Sequence, residues 1–123
     1  MDYRDALAEI ARRFLSKLSE RKDLIRIMQA ERHLYPSKVK EIYHNFIGEI
    51  FKTLASYFTE LQGRKVLMDF NPEFGARAFL GMFFSYFNAR EFLMRKRYRF
   101  ADDNMVIEEF VNIFVNGTLR TDN

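Results

Sequence analysis

The sequence predicts an all-α fold, because helix-breaking residues are rare and apolar residues recur at helical spacing. Only two prolines, Pro36 and Pro72, interrupt the 123 residues, and each stands where a helix is expected to begin. The alternating apolar and polar runs that are typical of strands are missing from the sequence. We therefore expect a bundle of five or six helices, formed by residues 1–123 as a single helical domain.

Caps, prolines and glycines set the expected helix boundaries. Asn71 is expected to cap the fourth helix with Pro72 at its first position, and Gly63 to end the long third helix. Residues 63–70 and the charged stretch 95–102 are expected to be loops. The predicted helices cover about residues 2–18, 23–34, 36–62, 72–94 and 103–116, the last with its start at Asp102 or Asp103.

Composition excludes several classes of protein. Because cysteine is absent, the chain has no disulfide, zinc-thiolate site or cysteine nucleophile, and an intracellular location is the simpler expectation. The N-terminus is charged from its second residue, unlike a signal peptide. The longest uncharged stretch, residues 78–89, is far shorter than the roughly 20 apolar residues that a membrane span needs. We expect a cytoplasmic protein with no membrane contact.

Charge does not point to a nucleic-acid surface. The net charge of +3 comes from 20 basic and 17 acidic residues, which are interspersed along most of the chain, as on solvated helix faces. The basic stretch 95–99, with aromatic residues interleaved, leaves two interpretations open. It could be a nucleic-acid patch, or it could place cations at the negative end of a helix dipole, which is the simpler account.

No motif supports catalysis or a cofactor. Glu41 and His44 have the spacing of a di-metal bundle motif, but such a site needs a second pair, and the other histidine, His33, has Ala30 where the glutamate should stand. Glycine-rich phosphate loops and nucleophile motifs are missing too. We expect no enzyme activity, no cofactor and no metal site.

The last two predicted helices are apolar on nearly every face. A helix of that kind needs neighbours all round, and two such helices in succession exceed what one small core is expected to cover. The simplest closed solution is a homodimer in which both helices meet their copies as a four-helix bundle. The alternative is a monomer that wraps its own helices around the central one.

The same two segments resemble the last two helices of TetR-family transcriptional regulators. The quoted stretches are NPEFGARAFLGMFFSYF, a charged loop, and a helix ending in FVNIFVNGTL. The earlier segments ERHLYP and LASYFTELQGRKVL match the order of the family's sensor domain, so the resemblance covers nearly the whole chain. In that family the last two helices form the dimer interface. The resemblance thus implies an interface that contains Phe79, Met82, Tyr86, Ile107, Phe110, Val111 and Phe114.

The resemblance also implies a ligand cavity between the first, third and fourth helices. A cavity lined by Phe, Met and Tyr would suit a small apolar or aromatic effector, with tyrosine hydroxyls fixing its orientation. The competing interpretation of each residue is ordinary core packing. The matching positions are Phe14, Met28, Phe46, Ile50, Phe51, Tyr57, Phe83, Phe84 and Phe87.

In that family an N-terminal helix-turn-helix unit reads the DNA, and the sequence before Asp2 is too short to supply one. We expect either an excised fragment or a natural protein without DNA binding, and favour the fragment; DNA would be reached only through the missing unit. The predicted function is effector sensing and homodimerisation in a TetR-type regulator such as a repressor. The alternative is a ligand-free helical module for protein–protein interaction.

Overall fold

The computed structural model describes residues 2–31, 33, 36–99 and 101–121, without the side chains of residues 31, 36, 38–40, 42, 43 and 46. The chain is all-α, as predicted. Over these ranges the helices are α1 (Tyr3–Glu20), α2 (Lys22–Glu31), α3 (Pro36–Gly63), α4 (Pro72–Asn88), a π-helical turn (Ala89–Leu93), α5 (Arg95–Tyr98) and α6 (Asp103–Thr118).

The start of α4 follows the predicted cap. The Asn71 side-chain oxygen accepts hydrogen bonds from the backbone N–H groups of Glu73, at 2.9 Å, and Phe74, at 3.1 Å, and Pro72 occupies the first turn. These bonds satisfy backbone donors that have no partner inside the helix. Asp102 caps α6 in the same way, since its side chain accepts from the backbone N–H of Asn104 at 2.9 Å. Both helices therefore begin where their local sequence directs.

The C-terminal end of α4 differs from the prediction. The fourth helix was expected to continue to Met94, but α4 ends at Asn88 and the chain passes into the π-helical turn. There the backbone N–H of Met94 donates to the carbonyl of Ala89 at 2.7 Å, which is a bond between residues five apart. The stretch predicted as a charged loop also contains the short helix α5. An α-helix and a π-turn share local composition, so the apolar pattern does not separate them.

Helix α4 lies at the centre of the bundle, where it contacts α1, α3 and α6. Much of its apolar character therefore follows from neighbours in its own chain, whereas Phe74 and Ala78 on its outer side stay exposed. The excess of phenylalanine is explained in the same way, because the core is built largely from aromatic rings. The largest fully buried side chains include Phe14, Phe58, Phe79, Phe83 and Phe87.

The segment between α3 and α4 is joined to the C-terminal end of α6. The N–H of Met68 donates to the carbonyl of Thr118 at 2.9 Å, and the N–H of Arg120 donates to that of Val66 at 3.0 Å. Leu67 in this bridge is fully buried. The two chain segments thus form a short antiparallel contact that closes one end of the bundle. In the part of the chain that the structure describes, no helix is long and apolar enough to cross a membrane.

Candidate ligand-binding cleft

A cleft of about 400 Å³ lies between α1, α3 and α4. This volume falls within the roughly 300–1,000 Å³ of typical small-molecule pockets. One lining side chain comes from α1, and the others come from the facing surfaces of α3 and α4. The cleft is lined by Phe14, His44, Ile47, Gly48, Phe51, Lys52, Glu73, Arg77, Leu80, Gly81 and Phe84.

The interior of the cleft is apolar. Phe14 and Leu80 form its floor and are almost completely buried, at 1% and 4% exposure. Ile47, Phe51 and Phe84 are half-buried and form its walls. Binding of an apolar ligand to such a surface is favourable in free energy, because the ligand displaces water from it.

Two glycines keep the cleft open. Gly48 on α3 and Gly81 on α4 both lie on its lining, and a Cβ atom added to either would meet nothing within 4 Å. Glycine in the middle of a helix is less stable than alanine by roughly 0.5–1 kcal/mol. The space beside these two positions is therefore present at some expense of helix stability.

The mouth of the cleft carries charge. His44, Lys52, Glu73 and Arg77 are exposed side chains on its rim. The guanidinium of Arg77 lies over the ring of Phe51, 5.6 Å from the ring centroid, so a cation–π contact joins α4 to α3 at the rim. Among the described residues, no carboxylate lies within salt-bridge distance of Arg77 or Lys52.

Three of the nine side chains predicted to bind a ligand lie on this cleft. Phe14 is on the floor, and Phe51 and Phe84 are on the walls. Two others pack in the core instead. Phe83 is fully buried against the rings of Phe79 and Phe110, and Phe87 is fully buried with its ring 5.8 Å from that of Phe92. For these two residues the core-packing interpretation holds.

The remaining four lie elsewhere or outside the described residues. Ile50 lines a smaller groove beside α1, and Tyr57 lines a shallow open groove further along α3. Met28 is buried on α2 and does not line the cleft. The side chain of Phe46 is outside the described part of the structure.

Sequence reasoning missed the polar and glycine positions of the cleft. Lys52 and His44 were not among the nine residues predicted to line the cavity, although both lie on the lining. A signal was present in their spacing, because His44, Gly48 and Phe51 are separated by four and three residues and so share one face of α3. Arg77, Gly81 and Phe84 repeat that spacing on α4.

The predicted interface residues divide into two groups. Phe79, Tyr86, Ile107 and Val111 are buried inside one chain, at 0%, 6%, 3% and 2% exposure, so they are not available to a second chain. All four belong to the hydrophobic core, where the rings of Phe79 and Tyr86 contact those of Phe114 and Phe110 on α6. Met82, Phe110 and Phe114 are half-buried and pack against the core from its edge. Only this second group has surface left for a partner.

Glu41 and His44, the pair with the spacing of a di-metal motif, both lie in the described ranges. No group of three or more His, Asp or Glu side chains there is arranged to hold a metal ion. His44 instead lies on the cleft rim, and Glu41 is exposed outside the lining.

Comparison with known proteins identifies the family of this chain. Residues 5–117 match the family model described as the AefR-like transcriptional repressor C-terminal domain. A search of curated proteins and a search of solved structures gave no match. The matched range contains α2 to α5, most of α1 and nearly all of α6, and with them every residue of the cleft. The chain therefore belongs to the TetR-type transcriptional regulators, in the AefR-like repressor C-terminal domain family.

Proposed function

We propose that this chain is the effector-sensing and homodimerisation domain of its regulator, and that the cleft between α1, α3 and α4 takes a small apolar or aromatic ligand. The proposal of ligand sensing is supported above all by the cleft, which has a buried apolar floor and a volume of about 400 Å³. Three aromatic side chains that the sequence indicated, Phe14, Phe51 and Phe84, lie on its lining.

Sensing requires that the ligand bind one arrangement of the helices better than another. The cleft joins three elements, so a ligand between them would alter how α1 and α3 sit on α4. A DNA-binding unit coupled to α1 would then be repositioned relative to the dimer. The direction of that effect on transcription is a property of the whole regulator.

The dimer half of the proposal rests on an apolar stripe on the outer side of α4. Phe74, Ala78 and Met82 are spaced four residues apart and share one face of the helix. Phe74 is 70% exposed, which is unusual for so large an apolar side chain, and Ala78 is exposed too. Met82 lies between Phe79 and Tyr86, whose rings contact α6, so this stripe borders α6.

A matching stripe lies on α6. Val106, Phe110 and Ile113 are spaced by four and three residues, and Phe110 contacts the rings of Phe83 and Tyr86 on α4. Ile113 is 60% exposed. The two stripes are therefore adjacent and together make an apolar surface of the kind that a two-fold interface covers. The proposed interface contains Met82 and Phe110, which are among the seven interface residues that the resemblance implied, together with Phe74 and Ile113.

Ligand binding can be tested with N-phenyl-1-naphthylamine, an uncharged aromatic probe whose fluorescence rises in apolar surroundings. We expect saturable binding to the wild-type protein and loss of binding in Gly48→Leu, because leucine at 48 fills the cleft without meeting other atoms within 4 Å at its Cβ. Gly63→Leu is the matched control, since it adds the same side chain to the same helix in open space outside the cleft. Absence of binding, or equal binding by Gly48→Leu, would contradict the proposal.

Dimerisation can be tested by light scattering coupled to size-exclusion chromatography. We expect a dimer for the wild type and a folded monomer for Ile113→Lys, because a buried unpaired ammonium opposes association. Ile27→Lys on α2 is the control, since Ile27 is 55% exposed and lies away from both stripes. A wild-type protein that stays monomeric at high concentration would overturn the dimer half of the proposal.

A further inference from the structure

The charged side chains at the mouth of the cleft restrict the class of ligand further than the apolar interior does. Every apolar lining residue lies on the floor or walls, whereas the charged groups are gathered on the exposed rim. A ligand that fills the cleft would thus have an apolar part inside and a second part beside charged side chains. This separation is typical of sites for amphipathic molecules.

The charge at the mouth is positive. Among the described lining residues, the cations are Lys52 from α3 and Arg77 from α4, and the carboxylate is Glu73, which gives these three side chains a formal charge of +1. Imidazole is neutral or cationic, so His44 adds no negative charge. Glu73 stands in the first turn of α4, where a carboxylate interacts favourably with the positive end of the helix dipole. The position of Glu73 on the rim is therefore explained by its effect on helix α4, without any contact to a ligand.

Arg77 lies at the mouth of the cleft in contact with an aromatic ring. Its guanidinium lies over the ring of Phe51, 5.6 Å from the centroid, and Phe51 is itself a wall of the cleft. This cation–π contact keeps the guanidinium beside the ring and leaves its N–H groups able to donate to a ligand. Neither Arg77 nor Lys52 has a carboxylate within salt-bridge distance in the described part of the chain. Two cations that form no salt bridge with a described residue thus flank the apolar cleft.

We infer that the cleft binds acidic amphiphiles, meaning small molecules with an apolar or aromatic body and one anionic group, and that Arg77 and Lys52 contact the anionic group. This inference rests on the proposed function, because it concerns the same cleft. A planar anion such as a carboxylate or sulfonate can take two N–H donors from one guanidinium. The body of the ligand would lie between Phe14, Phe51 and Phe84.

A matched pair of fluorescent probes isolates the anionic group. Anilinonaphthalene sulfonate has the skeleton of N-phenyl-1-naphthylamine with one added sulfonate, so the difference in their binding reports that group alone. In Arg77→Gln we expect anilinonaphthalene sulfonate to bind about fivefold more weakly, as for loss of about 1 kcal/mol from a partly exposed charged contact. Binding of the uncharged probe should change less than twofold. Lys52→Gln should act in the same direction.

Three further measurements separate the outcomes. Glu73→Gln removes the opposing charge and should strengthen binding of the sulfonate only. Raising the salt concentration should weaken the binding of anilinonaphthalene sulfonate more than that of the uncharged probe. Gly48→Leu should abolish the binding of both probes, which assigns the signal to the cleft. If both probes bind there and Arg77→Gln affects them equally, the inference fails and the proposed function stands; if neither binds, both fail.

Discussion

The hydroxyl of Tyr3 lies 2.8 Å from Oγ1 of Thr118, and this contact joins the first turn of α1 to the last turn of α6. Thr118 uses its own hydrogen, because its Oγ1 donates to the carbonyl of Phe114 at 2.7 Å. Tyr3 is therefore the donor in the contact. The tyrosine is 8% exposed, and burial raises its pKa to about 12.

The raised pKa of Tyr3 predicts a loss of stability in alkali. A tyrosine in the unfolded chain titrates near 10, so between about pH 10 and pH 12 the unfolded state releases a proton that the folded state keeps. The free energy of unfolding should fall as pH rises through that window and should be unaffected by this group below it. Urea unfolding at pH 8 and pH 11 measures the difference.

Tyr3→Phe is the matching variant for this prediction. It lacks the titrating group, so its stability should fall less between pH 8 and pH 11 than that of the wild type. The variant also loses the hydrogen bond to Thr118, which should cost about 1 kcal/mol at neutral pH. Identical pH slopes for the two proteins would show that Tyr3 ionises in the folded state as easily as in the unfolded chain.

Alanine at two helical glycines should have opposite effects on stability. At Gly48 the new Cβ meets nothing within 4 Å, so Gly48→Ala should raise the free energy of unfolding by about 0.5–1 kcal/mol. At Gly75 the Cβ would lie 2.9 Å from Cδ1 of the Phe70 ring and closer still to its Cε1. The ring must move, and Gly75→Ala should lower stability by about 1–3 kcal/mol.

Urea unfolding of both variants checks this pair. Both substitutions replace a helical glycine with alanine, so a difference in sign reports the contacts that the new Cβ makes at Gly75, chiefly with the Phe70 ring. A stabilised Gly75→Ala protein would mean that the Phe70 ring moves freely, although it packs at 5.5 Å on the ring of Phe58.

What the sequence could predict depends on whether the cause is local. Asn71 and Pro72 act within one turn of chain, so the start of α4 was predictable and is confirmed. Phe83 and Phe84 are neighbours in a segment that is apolar on every face, and local spacing does not say which one faces the core. The structure buries Phe83 completely and leaves Phe84 on the cleft, because α4 has α6 on one side and α3 on another.

The cleft was predictable in place and only partly in composition. The resemblance indicated the first, third and fourth helices, which do form it. Its glycines and charged rim were missed, because Gly48, Lys52 and Arg77 carry no signal as single residues. Their role depends on the facing surface of a second helix, and this is set by long-range packing.

Arg90 should stabilise the joint between α4 and α6. It donates to Glu91 at 3.0 Å and to the hydroxyl of Tyr86 at 3.4 Å, and it forms an ion pair with Asp103 at the start of α6. Its side chain is 17% exposed. Replacing it with methionine leaves two carboxylates together without a cation, which should cost about 1–2 kcal/mol.

Chemical denaturation of Arg90→Met and of Arg95→Met, a control at an exposed arginine, measures that effect. The control should lie within about 0.5 kcal/mol of the wild type. Equal effects from the two variants would mean that the contacts of Arg90 add nothing beyond its charge.

Substitutions at Phe58 and Phe74 should have different effects, because Phe58 stabilises the single chain and Phe74 is proposed to stabilise the dimer. Phe58 is fully buried, with the rings of Phe70 and Phe114 at 5.5 and 5.6 Å, so Phe58→Ala should cost about 3–5 kcal/mol at any protein concentration. Phe58→Leu, a milder variant, keeps the protein folded if the alanine variant does not fold. Phe74 is 70% exposed and supports little within its own chain.

The concentration dependence of thermal unfolding distinguishes the two roles. A dimer that unfolds to two chains melts at a higher temperature as its concentration rises, because association is linked to folding by mass action. Phe74→Ala should therefore remove that dependence and lower the melting temperature only at high concentration, whereas Phe58→Leu should lower it throughout and retain the dependence. If melting of the wild type does not change with concentration, Phe74 has no partner chain to contact, and the apolar stripe on α4 has to be explained by another occupant.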